Sequence, residues 1–186
     1  MIGIRIFIAI QIPGDIKDYL SDVQEILREN SNKGRFTPKE NIHLALRFIG
    51  EVGDDELHKL KRAMDEVAAD KRNFEIYLND LGRFPRGDRS IMWMGIQQNQ
   101  MLQGLYSDLE LALEKEGYNK ENRRFTPHIT LGRQVALTRD FEDIKNNIHM
   151  DRTVITIDRI TLMESKRVEG VLKYIPIYIA QFSNSS

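Results

Sequence analysis

Two histidines in this chain each follow a copy of the same four-residue segment, Arg-Phe-Thr-Pro. The first copy, residues 35–38, precedes His43, and the second, residues 124–127, directly precedes His128. A short insert, residues 39–42, lies between the first copy and its histidine and has no counterpart after the second copy. We interpret His43 and His128 as equivalent positions in two related halves of one fold. Two imidazoles at one site could carry out acid–base chemistry on a phosphodiester, one as the base and the other, protonated, as the acid.

The residues around each histidine have the composition of a β-strand, which we predict over residues 42–49 and 127–133. Successive side chains of a strand point to opposite faces, so positions i and i+2 share a face. His128 and Thr130 therefore lie on one face. The imidazole could move a proton while the hydroxyl donates a hydrogen bond to a phosphoryl oxygen.

The first histidine has different neighbours on its own face. His43 shares its predicted face with Ala45 and Arg47, and the alternate positions point to the core. No hydroxyl therefore stands beside His43 where Thr130 stands beside His128. The predicted core positions of the two strands are Leu44, Leu46, Phe48, Ile129 and Leu131.

The rest of the chain mixes helices and strands. Apolar residues at helical spacing predict helices within residues 16–27, 57–67, 101–116 and 141–148. Apolar runs predict further strands at residues 2–10, 74–81, 91–97, 154–163 and 171–180. The last two strands are expected to form a hairpin that turns at Gly170, with Pro176 at an edge or a bulge. Because many connections run from strand to strand, we expect an α+β fold with antiparallel sheets.

Composition limits the classes of function. The chain has 186 residues, of which 41% are hydrophobic, which suits one compact domain or two tightly joined lobes. A net charge of −1 leaves no global basic field, so any nucleic-acid contact is expected at an end or a single nucleotide. The absence of cysteine excludes disulfides, thiolate nucleophiles and cysteine zinc sites, and fits a reducing compartment. No apolar run is long enough for a transmembrane helix.

The two histidine motifs, H-L-A-L at residues 43–46 and H-I-T-L at residues 128–131, resemble the paired H-x-T/S-x motifs of the 2H phosphoesterases. Within that superfamily the chain is most similar to the LigT-like RNA 2′,3′-cyclic phosphodiesterases, also called 2′-5′ RNA ligases. The similarity extends over nearly the whole chain. It includes R-I-F-I-A-I-Q-I-P, F-T-P-K-E-N-I-H-L-A-L-R-F-I-G-E-V, G-R-F-P, I-M-W-M-G-I and L-M-E-S.

The resemblance implies one bilobal domain over residues 1–186, with two pseudo-symmetric antiparallel-sheet halves, outer helices and a central cleft. It implies hydrolysis of an RNA 2′,3′-cyclic phosphate end, or of a cyclic nucleotide, to a 2′-phosphate without metal or other cofactor. The same cleft could run the reverse joining reaction and make a 2′-5′ linkage. A cytoplasmic monomer with no membrane partner is expected.

The resemblance also implies roles for single residues. His43 would donate a proton to the departing 3′ oxygen, and His128 would accept a proton from water, although the sequence itself does not distinguish these roles. The phosphate contacts would come from Thr130, Arg133 and Arg47.

Ala45 departs from the family pattern, which usually has threonine or serine at that position. Loss of one donor to a charged oxygen costs about 1.5–3 kcal/mol, or roughly 10–100-fold in rate. Three interpretations remain open: a slower enzyme, a pocket tuned to another phosphoester, and a module that binds RNA ends without turnover.

Three further arginines, Arg83, Arg86 and Arg89, lie in the segment of residues 82–89, which we predict as a loop between two strands. We expect a solvated loop. The alternative is that these arginines steer an RNA end by their charge.

Overall fold

The computed structural model describes residues 3–149 and 153–183, so Ile2 of the first predicted strand lies outside the described residues. Four α-helices form within these ranges, at Gly14–Glu29 (α1), Asp54–Ala69 (α2), Gln100–Lys115 (α3) and Phe141–Asn146 (α4), with a short 3-10 helix at Lys39–Asn41. The strands are Ile4–Gln11 (β1), Ser31–Phe36 (β2), His43–Val52 (β3), Phe74–Arg86 (β4), Arg89–Ile96 (β5), His128–Leu137 (β6), Val154–Ile157 (β7), Arg159–Val168 (β8) and Val171–Gln181 (β9).

The strands divide between two antiparallel sheets. One sheet has four strands in the order β3-β1-β8-β9, and the other has five in the order β2-β6-β5-β4-β7. His43 begins β3 and His128 begins β6, and these two strands contact each other where the sheets meet. The α+β class and the two antiparallel halves are therefore confirmed.

Helix α1 shows how the apolar patterns build this arrangement. Its residues Ile16, Leu20, Val23 and Leu27 recur at helical spacing and are buried. Each such side chain stabilises the fold by about 1.5–3 kcal/mol when fully buried. The helix packs on β2 and β6, so it covers the sheet that carries His128 although it follows β1 in the chain.

Strand β2 was not predicted, because its sequence S-N-K-G-R-F shows no apolar alternation. Most of its residues are exposed in the structure. It pairs with β6, with Arg35 opposite Arg133. Just after it, the amide of Thr37 donates a hydrogen bond to the Leu131 carbonyl, at 2.9 Å. The first Arg-Phe-Thr-Pro copy therefore lies in the sheet of the second histidine, and the chain then crosses to the other sheet before His43.

The strand predicted over residues 154–163 is two strands in different sheets. Strand β7 pairs with β4, whereas β8 pairs with β1 and β9. The change of sheet occurs at Asp158, whose carboxylate pairs with the neighbouring Arg159. The β8–β9 hairpin does turn at Gly170, which has a φ of 80°. Pro176 lies in edge strand β9 beside a register shift, as predicted.

The loop predicted over residues 82–89 is also mostly strand. Strand β4 continues to Arg86 and pairs with β5, which leaves only Gly87 and Asp88 in the turn. Pro85 is tolerated near the end of the hairpin, where a missing backbone donor matters least.

Across residues 3–149 and 153–183, no helix is long and apolar enough to span a membrane.

Candidate active site

A cleft of about 390 Å³ lies between the two histidine strands, and both imidazoles line it. The predicted cleft-facing side chains of both strands take part in the lining, namely His43, Ala45, Arg47, His128 and Thr130. Arg133, which the family resemblance implied as a phosphate contact, lines the cleft as well. The alternate positions, Leu44, Leu46, Ile129 and Leu131, are buried, although Leu46 also borders the cleft. The face assignments made from strand alternation are therefore confirmed at these positions. The assignment of Phe48 to the core face was wrong. Phe48 is 65% exposed and lines the cleft, because a register shift between β1 and β3 interrupts the alternation.

A larger groove of about 930 Å³ adjoins the cleft along α3. The two share Tyr106 and Phe125, whose rings stack with centroids 4.1 Å apart. No histidine lines the larger groove. Because acid–base chemistry needs both imidazoles, the smaller cleft is the candidate active site.

The same backbone contact holds both imidazoles. Nδ1 of His43 lies 2.6 Å from the carbonyl oxygen of Asn41, and Nδ1 of His128 lies 2.8 Å from that of Thr126. A carbonyl oxygen can only accept, so each Nδ1 carries a proton and donates it. Nε2 is then the reactive nitrogen of both rings, a base when the ring is neutral and an acid when it is protonated. The sequence repeat did not reveal these carbonyls, because each is a backbone group two residues before its histidine.

The imidazole of His43 packs against two aromatic rings that also contact each other. Its centroid is 4.9 Å from the ring of Phe7 and 5.1 Å from that of Tyr174, which meets it edge-on at 88°. Phe7 comes from β1 and Tyr174 from β9, so two other strands of the four-stranded sheet hold this ring. The aromatic contacts restrict the ring to an orientation that keeps it on the cleft wall.

Burial is the main reason that the pKa of His43 lies below its ordinary value of 6.5. The carbonyl of Asn41 opposes this shift by accepting from Nδ1, but the positive charges of Lys17, Arg133 and His128 lower the pKa further. The cleft is thus an electropositive site in which the protonated form of His43 is disfavoured. A bound anion would reverse the Coulomb contribution and favour protonation.

The imidazole of His128 has an equivalent aromatic enclosure in the other sheet. Phe84 meets it edge-on, with centroids 5.4 Å apart, and the indole of Trp93 lies 5.9 Å away. Trp93 lies over Gly82, where an added Cβ would come within 2.1 Å of the indole. The missing side chain at Gly82 therefore gives Trp93 the space in which it packs beside His128.

The hydroxyl asymmetry predicted from the sequence is present in the cleft. Thr130 lines it beside His128, and its carbonyl accepts a hydrogen bond from the Thr37 hydroxyl at 3.1 Å. Ala45 lines the cleft from the opposite strand, β3, and its cross-strand neighbour on β1 is Ala9. From the sheet of His43, Tyr174 also lines the cleft.

Arg47 has both terminal nitrogens engaged within the protein. Nη1 lies 2.5 Å from Oε1 of Glu110, and Nη2 donates to the carbonyl of Asn119 at 2.5 Å. The other carboxylate oxygen of Glu110 accepts from the amide of Glu121 at 2.9 Å. These contacts favour a structural role, in which Arg47 holds the segment after α3 against the cleft, over the predicted phosphate contact.

Arg133, by contrast, is exposed and forms no ion pair within the part of the chain that the structure describes. It lines the cleft, and its charge contributes to the low pKa of His43. A guanidinium available in an electropositive cleft suits bidentate contact with a phosphate.

As for metals, no group of three or more His, Cys, Asp or Glu side chains among residues 3–149 and 153–183 could hold an ion.

Comparisons with known proteins agree with this geometry. A family model described as the 2′-5′ RNA ligase superfamily matches residues 15–169. An RNA 2′,3′-cyclic phosphodiesterase of Thermotoga maritima is 26% identical over 96% of this chain and 95% of its own length. A protein of the same name from Escherichia coli is 30% identical over 71% of this chain and 73% of its own.

The fold is similar to that of E. coli LigT complexed with 3′-AMP, with a TM-score of 0.82 and 24% identity. The similarity covers 98% of this chain and 99% of that structure, so it includes both halves of the fold. From the sequence match and the bilobal architecture together, the chain belongs to the 2′-5′ RNA ligase superfamily.

Proposed function

We propose that this protein is an RNA 2′,3′-cyclic phosphodiesterase that opens the terminal cyclic phosphate to a 2′-phosphate by two-histidine acid–base catalysis. The observation that carries the proposal is the convergence of His43 and His128 on one cleft, each held through Nδ1 so that Nε2 is the reactive nitrogen. The names of the relatives from T. maritima and E. coli support the same substrate class.

In the proposed reaction, Nε2 of His128 accepts a proton from a water molecule whose oxygen attacks the phosphorus. The bond between phosphorus and the 3′ oxygen breaks, and Nε2–H of His43 gives its proton to that oxygen. The products are a 2′-phosphate and a 3′-hydroxyl, and proton exchange with solvent restores both imidazoles. Each proton transfer by a positioned imidazole contributes about 10²–10⁴-fold in rate.

Thr130 and Arg133 are the proposed phosphate contacts. Both line the cleft with the two histidines, and Arg133 has no competing ion pair within the described residues. Their hydrogen bonds would strengthen as negative charge develops on the phosphoryl oxygens. The negative charge of the bound phosphate would also raise the pKa of His43, which makes protonated His43 available as the acid.

We further propose that residues 1–186 act as one bilobal domain and as a monomer, because the two sheets of one chain contribute both histidines and both phosphate contacts. A cytoplasmic location would suit a chain without cysteine that acts on RNA.

The test is end-group analysis of an oligoribonucleotide 2′,3′-cyclic phosphate incubated with the protein in excess chelator. The expected product carries a 2′-phosphate and a free 3′-hydroxyl. A 3′-phosphate product would contradict the assigned bond cleavage, and activity that depends on added metal would contradict the two-histidine mechanism. Adding an RNA with a 5′-hydroxyl end to the same reaction reports whether a 2′-5′ linkage also forms.

A further inference from the structure

A pocket of about 360 Å³ adjoins the active cleft at one end of the five-stranded sheet. Arginines from four neighbouring strands line it, namely Arg35, Arg86, Arg89 and Arg133. No acidic side chain contributes to the lining. Arg133 borders both this pocket and the cleft, so its side chain is a wall that the two spaces share.

Strand pairing places these arginines directly opposite one another. Arg35 on β2 faces Arg133 on β6, and Arg86 on β4 faces Arg89 on β5. Like charges directly opposite across two strands destabilise a sheet. Two such pairs in one pocket are therefore an arrangement that a bound anion would stabilise.

Within the part of the chain that the structure describes, no acidic side chain relieves this repulsion. None of the four arginines forms an ion pair with an acidic residue within residues 3–149 and 153–183. Asp88 lies in the turn between Arg86 and Arg89 but does not line the pocket. Arg86 Nη1 donates a hydrogen bond to the carbonyl of Pro85 at 3.2 Å.

We propose that this arginine pocket binds the internucleotide phosphate on the 5′ side of the terminal nucleotide of the RNA substrate. The inference rests on the proposed function. A cyclic phosphate occupies the 3′ end of the chain, so the RNA can leave the active cleft only in the 5′ direction. The next phosphate along the strand would meet the arginines, and Arg133 would lie between the reacting phosphate and this one.

The pocket would thus select polynucleotide ends over mononucleotides. Guanidinium groups bind phosphate oxygens through paired, charge-assisted hydrogen bonds. Neutralisation of phosphates also makes binding salt-dependent, with a slope of about 0.7 per phosphate contact for single strands. A mononucleoside phosphate has no 5′ internucleotide phosphate and would gain nothing from the pocket.

Equilibrium binding tests the proposal without requiring turnover. The probes are a fluorescent oligoribonucleotide with a 3′-phosphate and the matching nucleoside 3′-monophosphate. The double variant Arg86→Gln/Arg89→Gln is expected to bind the oligonucleotide at least about tenfold more weakly and with a shallower salt dependence. Its affinity for the monophosphate should stay the same. Arg72→Gln, an exposed arginine between α2 and β4, is the matched control and should leave both affinities unchanged.

Equal oligonucleotide affinity in the wild type and the double variant would overturn the proposal, as would an equal loss in Arg72→Gln. The variant Arg86→Lys/Arg89→Lys, which keeps the charge, should recover part of the affinity, so a folding defect is separable from a lost contact. If the protein hydrolyses no cyclic phosphate but the double variant still binds oligonucleotide more weakly, the proposed function fails and the arginine pocket stands.

Discussion

Arg47 and Glu110 form an ion pair at the edge of the active cleft, with 2.5 Å between Nη1 and Oε1 and only 11% and 7% of their side chains exposed. Removing one partner of a buried pair leaves an uncompensated charge, which costs about 3 kcal/mol. Glu110→Gln should therefore lower the free energy of unfolding by about that amount, as measured by urea denaturation.

The matched control for this prediction is Glu114→Gln. Glu114 is on the same helix, and its pair with Lys120 is half-exposed at 3.4 Å, so its removal should cost less than about 1 kcal/mol. If Glu110→Gln were as stable as the wild type, the pair would not hold Arg47, and the guanidinium would be available for phosphate.

Gly82 is expected to tolerate no side chain, because an added Cβ would lie 2.1 Å from the Trp93 indole. Gly82→Ala should displace the indole that packs beside His128, lower stability by about 1–3 kcal/mol and reduce kcat. Gly104→Ala is the control with the opposite sign. A Cβ added at position 104, inside α3, would meet no atom within 4 Å. This substitution should therefore stabilise the protein by about 0.5–1 kcal/mol. Equal thermal shifts for the two variants would contradict this packing.

The lowered pKa of His43 predicts the pH dependence of kcat/KM, which reports ionisations of the free enzyme. If protonated His43 is the acid, activity falls as pH rises through its pKa, so the alkaline limb should lie below 6.5. Lys17→Gln removes a positive charge that lowers this pKa and should move the alkaline limb to higher pH. The exposed Lys33→Gln is the control and should leave the profile unchanged.

The same profile separates the two possible roles of His43. If His43 were the base, Lys17→Gln would move the acid limb to higher pH and leave the alkaline limb in place. That outcome would exchange the roles of His43 and His128.

Ala45→Thr restores the hydroxyl that the first motif lacks. If the missing donor limits the rate, kcat should rise by roughly 10–100-fold, because one charge-assisted hydrogen bond is gained in the transition state. Ala45→Val has the same shape without the hydroxyl and should give no increase. Equal rates in both variants would show that the hydroxyl is not the limiting group.

Alternation of side chains predicted most of the cleft wall. The core positions Leu44, Leu46, Ile129 and Leu131 are buried, so the placement of His43, His128 and Thr130 followed from the alternation. The alternation failed at Phe48, which is exposed in the cleft wall beyond a register shift between β1 and β3. The roles of the flanking segments could not be predicted in this way. Strand β2 is polar and depends on its hydrogen bonds to β6, and the pairing of Arg35 with Arg133 is a long-range register that local sequence does not encode.

The Arg-Phe-Thr-Pro repeat is also less symmetric in space than in sequence. The first copy ends an edge strand in the sheet of His128, where the Thr37 hydroxyl donates to the carbonyl of Thr130. The second copy instead leads into β6, and its Thr126 carbonyl orients His128. The insert of residues 39–42 therefore lets one sequence motif serve two different structural purposes.

The most direct test of the account is the rate of cyclic phosphate hydrolysis after His43→Ala and His128→Ala, each measured beside its thermal unfolding. His58→Ala, on the exposed face of α2, is the matched control and should keep wild-type activity. Each active-site change should lower kcat by at least about a hundredfold, and the double variant should be little worse than either single one. Near wild-type kcat in a folded His43→Ala or His128→Ala protein would contradict two-histidine catalysis.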